Sequence, residues 1–433
     1  MIHKESKPKQ PEIFEVRQIP LPPLDVQYLD NGIPVYIVNT GKIDAVKLEV
    51  IFTVGRPHEH KPTVARATSA LLKEGTLYKS SAEVAEHFDF YGGSLSTPFS
   101  LDYSSLIMYS LTRHIDKLLP VFAELIHYPA FSEKELSTYV ENNINDLKVE
   151  LSKNDVLAYR KLTESIFGKD HPYGYNSGAK AFRELTRSDL QRHFETYFHA
   201  GNAVIMLSGN VSHELLPEIN RHLGNLRKGE RAKGFNSVVA RKKVKQIFIS
   251  KKDAHQTAIA LGRRLFTRTH EDYPGMFVLN TILGGYFGSR LMENIREEKG
   301  YTYNIYSSVE HLMYDGFFYI STEVGNDFVG KVIAEIEREM ERLQTEEIGK
   351  AEMKMVRNYI LGNLLSMADG PFNIADLYKT YIVENIDISE FNRFVQSIID
   401  IQPARLMELA RKHLRKEDMW HVVAGTKNGH PEI

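Results

Sequence analysis

Two short runs decide how this chain folds: residues 203–209, AVIMLSG, and residues 419–425, MWHVVAG. Each is a nearly continuous apolar run closed by glycine, the pattern of a buried strand that ends in a turn. Each also closes a similar succession of strand and helix signals, so the chain reads as two copies of one α+β unit.

Upstream of the first run, VQYLDNGIPVYIV (26–38) places Asn31-Gly32 between two apolar stretches, a hairpin signal. A strand follows in AVKLEVIFTVG (45–55), and then TVARATSALLKEGT (63–76), a short helix of small residues stopped at Gly75. Ser80 with Glu83 has capping-box spacing for a second helix, which ends at Gly92-Gly93. SLSTPFSLDYSSLIMYSL (94–111) reads as a strand or hairpin, and helices follow from Ile115 to Tyr128, after Ser132, and in LTRSDLQRHFETYF (185–198). The basic, glycine-containing RKGERAKGFNSVVARKKVK (227–245) reads as a linker. Beyond it the order restarts with strands QIFISKK and QTAIALGRRL, helical YPGMFVLNTILGG and SRLMENIREEKG, strands YTYNIYSSVEHL and DGFFYISTEV, then amphipathic helices before MWHVVAG. The expected class is α+β: homologous domains at 1–228 and 244–433 joined by a linker at 229–243, each a mixed or antiparallel sheet with helices on one face.

A chain of 433 residues suits two domains. Its 54 basic and 56 acidic side chains leave a net charge of −2, which gives no electrostatic footprint for nucleic acid or an anionic membrane. With no cysteine, disulfides, thiolate zinc sites and a cysteine nucleophile are excluded, so any metal would need His, Asp or Glu. The polar, proline-punctuated N-terminus holds no apolar run of signal or membrane-span length, so a soluble, cytoplasmic chain is the expectation.

A helical zinc peptidase site needs two histidines four apart with a glutamate beside one of them, and none of the 17 histidines has such a partner. His58 and His60 in RPHEHKP read as solvated surface. No Gly-x-Ser-x-Gly elbow occurs, and the glycines of LGGYFG (283–288) lack the Lys-Ser/Thr of a phosphate cradle. The segment SRLMENIREEKGYTYNIYSS carries more. Gly300 suits a helix C′ position, which puts Arg296 in the last turn and Tyr303 on the strand beyond, so chain reversal could bring the two together. A guanidinium and a phenol aimed at one point can polarise a carbonyl or hold an oxyanion. The competing reading pairs Arg296 with Glu293 or Glu297 at the surface and half-buries Tyr303.

The runs LGGYFGSRLMENIREEKGYTYNIYSS, HPYGYNSGAKAFRELTRSDLQRHFETYFHAGNAVIMLSGNV and FYGGSLSTPFSLDYSSLIMYSL together resemble the pitrilysin and insulinase-like zinc peptidase family, in its short bacterial branch related to mitochondrial processing peptidase. The resemblance implies a clam-like pair of domains, with two chains or halves enclosing a chamber. In that family His-x-x-Glu-His precedes a Gly-Thr pair; counting back from Gly75-Thr76, the three positions fall on Arg66, Ser69 and Ala70. The family's distal glutamate would fall around Asp146 to Lys148, with Glu150 near, so the resemblance implies no metal or other cofactor in this chain. It also implies that Arg296 and Tyr303, seven residues apart as in active members, bind substrate backbone and stabilise the tetrahedral intermediate. Some bacterial members divide the site between two chains. The expectation is therefore a zinc-free subunit acting on unfolded peptides with a zinc-bearing sister that carries His-x-x-Glu-His, the isolated chain being free to form a homodimer. The alternative is a non-enzymatic scaffold or peptide-binding protein of the same fold.

Overall fold

The computed structural model describes residues 16–41, 43–238, 244–252 and 254–426. Strands β1 (Asp25–Tyr28), β2 (Pro34–Asn39), β3 (Ala45–Phe52), β4 (Ser94–Ser96), β5 (Ser104–Leu111) and β6 (Ala203–Gly209) form one sheet, ordered β1-β2-β6-β3-β5-β4. A second sheet holds β7 (Gln246–Ser250), β8 (Gln256–Leu265), β9 (Thr302–His311), β10 (Gly316–Gly325) and β11 (Trp420–Gly425), ordered β7-β11-β8-β10-β9. β6 lies parallel to β2 and antiparallel to β3, as β11 lies parallel to β7 and antiparallel to β8. With β1 set aside, order and strand sense coincide, so the duplication read from the two closing runs is a duplication of topology. Both runs are interior strands buried along nearly their whole length, which explains why neither shows polar alternation.

The first hairpin is slightly looser than its Asn-Gly pair suggests. Leu29 N–H bonds Ile33 O at 3.0 Å and Gly32 N–H bonds Leu29 O at 2.8 Å, so the loop has three residues. Gly32 closes it at φ +87°, a left-handed conformation that glycine adopts without a Cβ penalty.

The helices of the first half are α1 (Val64–Leu71), α2 (Ser81–Phe90), α3 (Ile115–His127), α4 (Glu133–Glu150), α5 (Asn154–Phe167), α6 (Ala179–Arg183), α7 (Arg187–Tyr197) and α8 (Leu215–Leu223). Those of the second are α9 (Tyr273–Gly284), α10 (Val329–Thr345), α11 (Lys350–Met367), α12 (Pro371–Val383), α13 (Ser389–Asp400) and α14 (Pro403–His413). Among the described residues no helix is long and apolar enough to cross a membrane.

Most helices cover one face of their own sheet, as expected, but two cross over. α5 lays Ala158, Leu162 and Ile166 against Ala258, Ala260, Val422 and Ala424 of the second sheet. In return α12 lays Ile374, Ala375 and Tyr378 on Val38, Ile51 and Met206 of the first. The physical reason lies in the strands: interior runs apolar on both faces need a second cover, and each half draws it from the other. The N-terminal arm crosses as well, with Ile19 packed in the core of the second half and the Tyr378 hydroxyl bonded to Pro22 O. Within the stretch read as a linker, Ser237 hydrogen-bonds to Asp315 and accepts from Arg264 on its carbonyl at 2.9 Å, while residues 239–243 lie outside the described residues.

Candidate functional site

α1 is short because Gly75, at φ +99°, turns the chain sharply behind it; a Cβ there would meet Lys79 O at 2.9 Å. Val64, Ala67, Thr68 and Leu71 face the core, which leaves Arg66, Ser69 and Ala70 on the opposite face, at spacings of three and four. These three line a cavity of about 520 Å³. Across it α4 presents Tyr139, Asn143, Asp146 and Glu150, again at helical spacing. Of the positions considered for a distal ligand, Asp146, Leu147 and Glu150 line the cavity and Lys148 does not.

The residues here do not fit a zinc ion. Arg66, Ser69 and Ala70 offer neither imidazole nor carboxylate, and Glu150 Oε1 is paired with Lys153 Nζ at 2.7 Å. Among the described residues no group of three or more His, Asp or Glu is placed to hold a metal. His58 is not the solvated side chain its loop suggested: its ring lies 5.7 Å from that of Tyr197 and 6.5 Å from that of Tyr314, and burial lowers its pKa. His60 points elsewhere, 3.7 Å from Asp189.

Much of the cavity's polar lining is already committed. The Glu59 carboxylate accepts from the Tyr175 hydroxyl and from Ala65 N–H at 3.0 Å, and burial pushes its pKa up in spite of these bonds. Arg56 lies 3.3 Å over the Tyr175 ring and donates to Tyr175 O; Arg160 donates to Ser177 O at 2.7 Å. Arg66 differs. Its guanidinium sits 5.0 Å from the Phe99 ring and 6.0 Å from that of Phe182, and among the described residues it forms no ion pair. The Ser69 and Tyr139 hydroxyls are buried without a partner, and burial pushes the Tyr139 phenol up to about 12.

Arg296 and Tyr303 belong to a second cluster, in the other half. Met292–Glu298 is π-helical, and Gly300, at φ +64°, ends it, with Gly300 N–H bonded to Arg296 O at 3.1 Å and Tyr301 N–H to Ile295 O at 3.0 Å. β9 is an edge strand. Its register with β10 slips between the pairs Thr322–Ile305 and Val324–Thr302, so Tyr303 and Asn304 together oppose Glu323. Such a bulge re-aims side chains, and Tyr303 is 84% exposed. The Arg296 guanidinium lies 5.3 Å from the Tyr303 ring and 4.8 Å from the Phe287 ring. Chain reversal does bring Arg296 and Tyr303 together; Arg296 also meets Glu297, at 2.9 Å, and Tyr303 is not half-buried. Phe287 was missed because LGGYFG was weighed only as a phosphate cradle; an aromatic on a glycine-flanked turn beside an arginine-bearing helix was the available signal. Neither Arg296 nor Tyr303 lines the α1–α4 cavity.

Residues 184–360 match the family model described as peptidase M16 inactive domain. An uncharacterized zinc protease of Rickettsia bellii is 25% identical over 398 residues, covering 90% of this chain and 94% of the relative. The Helicobacter pylori protein named non-peptidase homolog YmxG is 22% identical over 356 residues, 78% of this chain and 82% of its own length. The crystal structure of a peptidase M16 inactive domain from Pseudomonas fluorescens shares the fold with a TM-score of 0.86 at 23% identity, covering 94% of this chain and 99% of that one. A duplicated topology, an α1 without zinc ligands and these matches agree: the chain is similar to the pitrilysin- and insulinase-like peptidase M16 proteins and lacks their zinc motif.

Proposed function

We propose that the chain is the zinc-free subunit of a two-chain peptidase, supplying Arg296 and Tyr303 to a sister chain that carries His-x-x-Glu-His. The observation that carries this reading is the Arg296 cation set between the Phe287 and Tyr303 rings, with Tyr303 84% exposed on its bulge. A donor pair held this way is suited to a substrate outside the chain. The sister's zinc would supply the Lewis acid and the nucleophilic water; no metal or other cofactor is assigned to this chain. Arg296 would hydrogen-bond substrate carbonyls and fix the backbone. Tyr303 would donate its phenol hydrogen to the scissile carbonyl oxygen as that oxygen gains negative charge. The substrate is an unfolded peptide, the setting cytoplasmic, and no nucleic-acid or membrane partner is involved.

The test measures peptide hydrolysis and metal content for this chain, for the sister and for their mixture. Activity should require the mixture, and Arg296→Ala should lower it on the order of 10²-fold while the sister keeps its zinc. Unchanged hydrolysis by that variant sinks the reading. The ion pair between Arg296 and Glu297 at 2.9 Å favours the second reading, a non-enzymatic scaffold in which the charge is balanced within the chain, and such a scaffold leaves the mixture no more active than the sister alone.

A further inference from the structure

We infer that the α1–α4 cavity is a carboxylate-binding pocket, which takes the terminal carboxylate of a peptide together with the apolar side chain of its last residue. At about 520 Å³ it is large enough for an amino-acid residue and falls inside the ordinary range for ligand sites. Its walls are amphipathic: Phe99, Tyr103, Tyr139 and Phe182 supply rings, and three arginines supply charge.

The charges are not equally available. Arg56 and Arg160 donate to backbone carbonyls, Glu59 is held by Tyr175 and Ala65, and Glu150 is held by Lys153. That leaves Arg66, a planar fork stacked loosely on two rings with no carboxylate paired to it among the described residues. Beside it on the helix, Ser69 is 8% exposed and its hydroxyl has no hydrogen-bond partner; the Tyr139 hydroxyl across the cavity has none either. Buried donors left unpaired are unfavourable, and an acceptor that reaches them removes the penalty. A carboxylate has two acceptor oxygens with room for several bonds, so it can take the Arg66 fork and a hydroxyl together. A cation would meet the Arg66 charge, and a wholly apolar ligand would leave both hydroxyls unpaired. Asp146, also on the lining, is exposed to solvent, as Arg66 is, and among the described residues the two form no ion pair.

The inference rests on the reading of the chain as one that handles peptides, though not on catalysis, so the two fail separately. Binding is measured on this chain alone by calorimetry. The probes are an eight-residue peptide ending in phenylalanine with a free carboxylate, the same peptide amidated, and N-acetylphenylalanine. The free acid should bind about tenfold or more tighter than the amide, and Arg66→Gln should erase that difference. Ala70→Leu, which narrows the cavity, should weaken the acid peptide while melting at the same temperature as the parent chain. If N-acetylphenylalanine matches the peptide, the natural ligand is a free acid; if it falls short, a peptide terminus. Equal binding of acid and amide, no binding at millimolar concentration, or a preference that survives Arg66→Gln overturns the inference. An inert mixture with carboxylate binding intact sinks the shared-site reading alone.

Discussion

The hydroxyls of Thr322 and Thr302 meet at 2.9 Å across the bulge that carries Tyr303. The same two side chains reach the backbone carbonyls that the bulge leaves over, Thr322 to Asn304 O at 2.8 Å and Thr302 to Glu323 O at 2.7 Å. A bulge disrupts the ladder locally, and these hydroxyls replace the missing partners. Thr302→Val keeps the side-chain shape and removes one hydroxyl. Stability should fall by about 1–2 kcal/mol in urea unfolding. Hydrolysis by the two-chain mixture should fall about tenfold as Tyr303 loses its aim, and Thr302→Ser should restore it. Loss of stability with full activity would show that the brace serves the sheet and not Tyr303.

Phe287 forms the far wall of the Arg296 slot, at 4.8 Å, and is itself 63% exposed. Because it packs little, Phe287→Ala should leave the melting temperature nearly unchanged. Loss of one partly exposed cation–π contact is worth about 1 kcal/mol, so kcat/KM of the mixture should drop roughly three- to tenfold. Phe287→Trp should retain the rate. Steady-state kinetics on both variants decide the point, and an alanine variant at full rate would mean that Tyr303 alone orients the guanidinium.

Acid should loosen the molecule through histidines that are buried neutral. Burial, with the Arg268 charge adding to it, lowers His311 to about 3, and neither ring nitrogen has a hydrogen-bond partner. His193 is lowered to about 3 by burial and by His60 and His58. The unfolded chain takes up these protons near pH 6.5 and the folded chain does not until about pH 3. The unfolded state therefore binds more protons through that window, so stability is full above pH 6.5 and declines as pH falls toward 3. His311→Phe, which fits the edge-to-face contact with Tyr273 at 4.5 Å, should flatten part of that decline in urea unfolding between pH 4 and 8. A variant with the parent's pH slope would remove His311 from the explanation.

What the sequence disclosed was local. β6 and β11 could be read because interior strands lose their polar alternation, and the start of α2 because Ser80 and Glu83 bond each other's backbone N–H groups. The glycine stop before Tyr303 was legible for the same reason: one residue sets the conformation. Crossing helices are different. An amphipathic pattern says that α5 has an apolar face, but not that the face meets β8 and the still more distant β11 of the other half, where Asn154 also bonds Gln256 O at 2.7 Å. The cavity was hidden likewise, since α1, α4 and the segments around Phe99 and Tyr175, far apart in the chain, each contribute a few residues. Only the resemblance drew attention to Arg66, Ser69 and Ala70; spacing alone left α1 a plain small-residue helix.

The reciprocal crossing of α5 and α12 should make the two halves unfold as one, and a buried charge network permits a direct test. Lys379 of α12 reaches Glu49 of β3 at 3.1 Å, and Lys47 reaches Asp376 at 2.6 Å and Glu49 at 3.6 Å. The Lys47 and Glu49 side chains are 3% and 1% exposed, so among the described residues their charges are balanced by each other and by the helix from the other half. Lys379→Met leaves Glu49 with the longer contact alone and should cost about 3–5 kcal/mol. Lys379→Met combined with Glu49→Met should recover part of that loss, because removing both charges is milder than stranding one. Trp420, the single tryptophan, lies in β11 and its fluorescence reports the second half, while far-ultraviolet circular dichroism reports the whole chain. Coincident urea transitions by the two probes, displaced together in Lys379→Met, are the expected result. Transitions that separate in the variant would mean that the crossing helices cover their sheets without coupling them, and that the halves are independent units held by a short connection.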